Sequence, residues 1–362
     1  MVGRLTFYLL LGFPYSTAVF IHKSPKIGDG SAKEYSHMYE RNVCEDPLID
    51  LELRKALLTN LSDCQAGSGI LVGCSGGADS VALVRAMVHV ANELSLELSV
   101  VIIDHQLQSD SKQVASAAKE LVLKLGVRDV DIVAVEVKLG PGSGGLEAAA
   151  RDARRSVFAE HAGKRGVTAV LLGHTLEDQA ETVLLGLARG SGARSLSGMR
   201  AIDELYRRPF LAISRKHVRS TVSDLLTYED PHNSNIDFAR VRVREVVLPT
   251  LEKELGPGIA RALVRTADML RDDADALDRL TLDAYAWVGP NIEGLSELSP
   301  AIRTRLIRKL AIEAGCVVND LTREHILAID ALITNWHGQG PLNMPGGVNV
   351  ERGHGRLKFY KP

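Results

Sequence analysis

The chain has 362 residues, of which 45% are hydrophobic and 24% charged, with a formal net charge of −2. That length suggests two or three domains, and the balance is that of an ordinary globular chain. A near-neutral charge excludes a global nucleic-acid signal, so any RNA contact has to rest on local basic clusters.

Cys44, Cys64, Cys74 and Cys316 are widely spaced, with no CxxC pair and no His cluster. This argues against a zinc ribbon, an iron–sulfur site or a disulfide framework and fits a reducing cytosol. Residues 5–20 are apolar behind Arg4, like the apolar core of a signal peptide. Gly12 and Pro14 interrupt the run, it is short for a bilayer span, and no small-x-small cleavage site follows cleanly. Residues 1–45 are therefore expected to be a poorly ordered N-terminal extension, an upstream start codon being one origin. The chain is expected to be cytoplasmic, with no membrane partner.

The folded part opens with an apolar run at residues 70–74, then Ser75-Gly76-Gly77-Ala78-Asp79-Ser80, then a helical stretch at 81–94. Strand, glycine loop and helix in this order make an anion cradle, because glycines admit close approach and the helix N-terminus favours negative charge. Ser75 and Ser80 add hydroxyl donors. Where a Walker loop carries Lys, this one carries Asp79. An acid there repels phosphate unless a divalent cation intervenes, so the loop suggests a nucleotide with Mg²⁺; a Gly-Ser turn capping a helix is the bland alternative.

A strand follows at 98–104, an amphipathic helix at 109–126, a strand at 130–137, a glycine loop at 140–145, a helix at 146–164, a strand at 167–173 and a helix at 176–189. Such alternation predicts an α/β domain with a parallel sheet and helices on both faces. Ligands bind at the carboxyl ends of such strands, where Ser75, Asp104 and His174 all fall. Past Gly190 helices are expected at 214–227 and 239–255. Residues 256–258 form a linker, helices follow at 259–286, 300–314 and 323–336, and short strands lie around Pro345-Gly346-Gly347. The expected division is an α/β domain over 46–256 and a smaller, mainly helical domain over 257–362.

Asp178 and Glu181 lie three apart on one helix face, spaced either to bind one hard cation or simply to favour the helix N-terminus. His174 at the strand end is either a packed histidine or part of the site. Arg151, Arg154 and Arg155 form either a solvated basic face or a phosphate grip. Arg207, Arg208, Arg215, Lys216 and Arg219, the alternating Arg240, Arg242 and Arg244, and the set Arg303, Arg305, Arg308 and Lys309 are local basic clusters suited to anions.

The loop from Ser75 to Ser80 is similar to the SGGxDS motif of the PP-loop, or N-type, ATP pyrophosphatases. These enzymes cleave ATP to AMP and pyrophosphate while adenylating a substrate oxygen. Residues 171–199, LLGHTLEDQAETVLLGLARGSGARSLSGM, resemble the HHxDDQxET…RGSG…GLxGM pattern of the tRNA(Ile)-lysidine synthase family. Residues 147–154 resemble its ExxARxxR helix. Arg208-Pro209-Phe210-Leu211, Asp230-Pro231-His232-Asn233, Asp237 and the Arg240, Arg242, Arg244 run resemble its later elements. The resemblance covers about 70–251, and the end, PGGVNVERGHGRLKFY, is similar to the domain that follows in that family. Thr175, Glu177 and Gln108 depart from family His, Asp and Arg, and the further C-terminal domain of long members is missing.

The resemblance implies ATP on Cys74, Ser75, Gly76, Gly77, Ala78, Asp79 and Ser80, with Asp104 nearby and Mg²⁺ on Asp79 and Asp178, near Glu181. Asp79, Arg151, His174, Asp178 and Glu181 would be the catalytic set, and Arg208, Arg240, Arg242 and Arg244 the RNA contacts. The partners implied are a tRNA(Ile) with anticodon CAU and free L-lysine. A homodimer is compatible with the sequence, which does not set the oligomeric state. A tRNA thiolation enzyme shares the loop but needs a sulfur-carrying cysteine pair or cluster ligands. A non-enzymatic RNA-binding module would explain the arginines but not Asp79.

Overall fold

The computed structural model describes residues 50–106, 110–136, 146–190, 192–230 and 235–362. The expected N-terminal extension, the glycine loop at 140–145, Gln108, Pro231, His232 and Asn233 lie outside the described residues. Helix α1 (Leu51–Asn60) is capped by Asp50, whose carboxylate accepts from the Glu52 and Leu53 N–H groups. Then come β1 (Gly69–Cys74), α2 (Ala78–Leu94), β2 (Glu97–Asp104), α3 (Ser111–Lys124), β3 (Asp129–Ala134), α4 (Leu146–Arg165), β4 (Ala169–Leu172) and α5 (Leu176–Ala188). A single helical turn, α6 (Ala193–Leu196), leads to the short strands β5 (Ile202–Asp203) and β6 (Tyr206–Arg207).

The strands form one six-stranded sheet in the order β3-β2-β1-β4-β6-β5, parallel throughout except for the β5–β6 pair. Ile70, Leu71 and Val72 of β1 are all buried, as both faces of a parallel sheet require. Ile70 and Val72 face α1, α2 and α3, while Leu71 joins Val101, Val170 and the α4 residues Val157 and Phe158 on the other face. The chain steps outward from β1 to β3 and then returns to the opposite side of β1 with β4. The reversal opens a crevice between the ends of β1 and β4, the usual ligand position in such a sheet. Ser75 and His174 flank that crevice.

Beyond the sheet lie α7 (Arg215–Ser220), α8 (Ala239–Arg242), a π-helical turn at Val243–Val247, α9 (Leu248–Glu254) and the 30-residue α10 (Ile259–Val288). After them come α11 (Ile292–Glu297), α12 (Pro300–Glu313), α13 (Arg323–Thr334) and an antiparallel sheet of β7 (Leu342–Met344), β8 (Val348–Gly353) and β9 (Arg356–Tyr360). This region has its own apolar core, built from Leu306, Ile307, Ile329, Val348 and Val350 among others. It is therefore helical with a three-stranded sheet at its end.

Two expected helices differ from the structure. The helix expected at 214–227 is only α7, because Arg85 donates to the Thr221 carbonyl and to Asp224, taking an acceptor that a continuing helix would use. The helix expected at 239–255 contains the π turn, a feature that helical periodicity does not forecast. Here β-branched Val243, Val246 and Val247 precede Pro249, which has no N–H to donate.

Gly173 holds β4 against the start of α2, since a Cβ there would sit 2.9 Å from the Asp79 carbonyl oxygen and 3.2 Å from the Ser80 Cα. Gly173→Ala should cost about 1–3 kcal/mol through this backbone overlap. Gly163→Ala, in open space on α4, should be neutral or slightly stabilising. Thermal melts of the two variants check this; an unchanged melting temperature for Gly173→Ala would remove the overlap as a constraint.

Candidate active site

Gly76 gives the loop after β1 its bend, with φ of +81° and no room for a side chain against Ala118. Ser80 stitches the loop together: its hydroxyl donates to the Gly77 carbonyl at 2.8 Å and accepts from the Ser75 N–H at 3.1 Å. Gly77 is the N-cap of α2 and offers no side chain to occupy the first N–H groups. Those donors and the positive end of α2 therefore face the crevice. Ser75 is exposed there, whereas Cys74 is buried beneath the loop, its thiol pKa raised by burial.

Asp79, in the first turn of α2, is held by α7. Its two carboxylate oxygens accept from Arg219 Nε at 2.9 Å and Arg219 Nη2 at 3.2 Å, and Arg215 Nε lies 3.8 Å away. Arg215 also reaches in the other direction, donating to Asp178 at 2.9 Å and Glu181 at 3.0 Å. α7 starts where it does because Ser214 caps it and Glu177 accepts from the Arg215 N–H at 2.7 Å.

Asp178 and Glu181 share a face of α5, as their spacing predicts, and both are buried. Arginines surround them. Arg240 donates to Glu181 at 2.9 Å, and Arg244 donates to Glu181 at 2.8 and 3.1 Å and to Asp178 at 3.3 Å. The remaining Asp178 oxygen accepts from the Thr175 N–H and hydroxyl at 2.8 and 2.9 Å, closing the N-terminus of α5. Burial works to raise the Asp178 pKa, but Arg215, His174 and Arg240 outweigh it and hold the carboxyl well below its ordinary range. Arg215 is correspondingly held above its own, the nearby carboxylates overcoming desolvation.

All four oxygens of Asp178 and Glu181 accept hydrogen bonds, as do both of Asp79, so a divalent cation on these acids would have to share or displace arginine contacts. Among the described residues, the one group of three metal-capable side chains is Asp50, Glu52 and His217, at the start of α1.

His174 lies two residues past β4, its Nδ1 buried and without a hydrogen-bond partner; burial pushes its pKa down to about 3, so the ring is neutral near pH 7. His105, at the end of β2, has the same orphaned Nδ1, and burial also lowers its pKa. Arg154 of α4 acts electrostatically on both rings, and it and Arg151 are both exposed on that helix. Asp104 is buried and folds its own turn, its carboxylate accepting from the Gln106 N–H at 2.9 Å.

The expected RNA contacts divide. Arg242 is exposed, although it donates to the Ile236 and Asp237 carbonyls. Arg240 and Arg244 point inward to Glu181, and Arg208 is buried, donating to the Arg200 carbonyl. Sequence reasoning left Arg215 and Arg219 as an unassigned basic cluster; their four-residue spacing behind a Ser cap was the signal that they share a helix face. One residue beyond Asp178, Gln179 pairs with the Met199 backbone through two hydrogen bonds of 2.9 and 2.8 Å. Arg271 of α10 donates to the Ser197 and Met199 carbonyls.

Two protein families match separate stretches of the chain. Residues 50–251 match the PP-loop domain family, and residues 291–357 match the TilS substrate binding domain. The chain is similar to the tRNA(Ile)-lysidine synthase of Thermobifida fusca, 46% identical over 84% of this chain and 95% of that protein. It is also 47% identical to the Streptomyces coelicolor protein of the same name, over 80% of this chain and 84% of the relative. In structure it resembles the U34-tRNA thiolase NcsA of Methanococcus maripaludis, solved with its 4Fe–4S cluster. That likeness has a TM-score of 0.50 at 18% identity and covers 60% of this chain and 77% of the other.

Two measurements test the geometry. Glu181→Gln leaves half-buried guanidinium groups short of their buried carboxylate and should cost about 3 kcal/mol in urea denaturation; a loss under 1 kcal/mol would mean the arginines are satisfied elsewhere. At the start of α1, the hydrogen bond to Asp50 raises the His217 pKa above its ordinary 6.5, with further help from Asp50 and Glu52 charge. A raised folded pKa stabilises the protein fully below the unfolded value, and the gain is lost as pH climbs through the folded one. Melting temperature should therefore fall more from about pH 6 to 8 in the unaltered chain than in His217→Gln; equal slopes would exclude this contribution.

Proposed function

This chain belongs to the tRNA(Ile)-lysidine synthase family, and we propose that it ligates lysine to C2 of the wobble cytidine in a tRNA(Ile) with anticodon CAU. ATP is converted to AMP and pyrophosphate in the process. The observation that carries the reading is the loop at Ser75–Ser80. It lies at the sheet's switch point, with the uncapped end of α2 behind it and Asp79 inside it, within reach of two arginines. Anion donors and balanced charge at one place suit a nucleotide triphosphate.

The reaction has two steps. The cytidine O2 attacks the α-phosphorus and pyrophosphate leaves, which turns that oxygen into part of an AMP leaving group. The neutral ε-amine of lysine then attacks C2, AMP departs, and the amine loses its proton. Asp178 or Glu181 is assigned to hold the lysine ammonium and take its proton, and either acid would have to exchange an arginine contact to do so. The neutral His174 acts as a hydrogen-bonding group at this pH rather than as a proton carrier. Arg151 and Arg154 on α4 are assigned to charge developing on phosphate.

Mg²⁺ is proposed only as the ion that accompanies the ATP phosphates, with half-buried Asp79 as the acid available to it. Residues 257–362 are proposed as the tRNA-binding domain, and Arg242 as a contact to RNA. No helix among the described residues is long and apolar enough to cross a membrane, and a cytoplasmic location is proposed.

The thiolation reading has less support. Cys74 lies under the loop, Cys316 belongs to the second core, and Cys64 sits beside Asp63. Among the described residues none of the three joins a metal-capable group. Purified protein given ATP, lysine and a CAU-anticodon transcript should release pyrophosphate only when all three are present, and mass spectrometry should find lysine on the wobble cytidine. Equal turnover with a sulfur donor in place of lysine would establish thiolation instead.

A further inference from the structure

α7 presents two arginines one helical turn apart to the phosphate loop, and they are held very differently. Arg215 is largely enclosed and is anchored by Asp178 and Glu181 behind it. Arg219 is half exposed and bonds the Asp79 carboxylate. An exposed pair of this kind contributes little to stability. A triphosphate arriving at the loop carries more charge than one carboxylate and accepts the same forked geometry. Asp79 would not be stranded by the exchange, because Arg215 Nε remains 3.8 Å from it and the end of α2 adds positive potential.

We propose that Arg219 is a nucleotide-positioning residue that hands over: it holds Asp79 in the empty loop and turns onto the ATP phosphates when the nucleotide binds. The proposal rests on the reading of this loop as an ATP site. It assigns the two arginines different tasks. Arg215 fixes the position of α7 against α5, and Arg219 is the arm that moves. When Arg219 turns to the phosphates, Arg215 and the positive end of α2 are left to offset the charge of Asp79.

Simple removal of Arg219 would not settle the matter, because an unpaired Asp79 would itself repel ATP. The informative background is Asp79→Asn, which has no carboxylate to neutralise. ATP binding with Mg²⁺ is measured by calorimetry for Asp79→Asn and for the double variant Asp79→Asn with Arg219→Gln. Loss of a charge-assisted phosphate contact should weaken binding by at least about tenfold in the double variant. Equal affinities would overturn the proposal and reduce Arg219 to a counter-charge for Asp79. A further double variant, Asp79→Asn with Arg219→Lys, should recover part of the lost affinity; none recovered would overturn the charge-based handover. Failure of the unaltered protein to bind ATP would defeat the reading of the loop itself, an outcome distinct from equal affinities.

Discussion

The arrangement of the crevice depends on one buried carboxylate. Glu181 has no exposed surface, and its two oxygens gather guanidinium groups from α7, α8 and the π turn. An ionised acid at such a depth is tolerable only when compensated, and removal of its charge leaves three half-buried cations in conflict. The same interaction draws three chain segments onto α5. Because Arg215 is one of those cations and also approaches Asp79, the position of the phosphate loop is tied to the interior. A site that handles negative charge is thus built around positive charge that is already partly balanced.

The balance extends to the second core. Arg303 bonds Asp330, Arg305 bonds Asp278, Arg308 donates to the Leu321 and Val318 carbonyls, and Lys309 pairs with Glu313. Arg303 and Arg305 thus tie α12 to α13 and α10, while Arg308 holds a loop and Lys309 pairs within its own helix. Each of these cations therefore already has a partner within the chain, and a net charge of −2 gives no sign of a nucleic-acid surface either.

Much of this was legible from residue order. The strand–loop–helix junction, the parallel sheet and the convergence of Ser75, Asp104 and His174 at one edge follow from periodicity and from the rule that strand ends carry ligands. The shared face of Asp178 and Glu181 followed from their spacing. What surrounds that face did not, because Arg215, Arg240 and Arg244 come from 34 to 63 residues away, and no local pattern says whether an arginine turns outward to phosphate or inward to an acid. The alternation of Arg240, Arg242 and Arg244 looked like one basic stripe. On a helix it becomes two faces, one inward and one outward. His105 escaped attention because an orphaned ring nitrogen is a property of packing, not of sequence.

Gln179 meets the Met199 backbone with one donor and one acceptor, as two bases meet in a duplex, and Gly198 beside it has no space for even a methyl group. Arg271, far along the chain on the longest helix, grips the same peptide. Such a two-pronged contact resists sliding and rotation, so the azimuth of Asp178 next door is coupled to the helix that leads into the C-terminal region. A substitution at Arg271 would then be felt in the chemistry without touching a reactant.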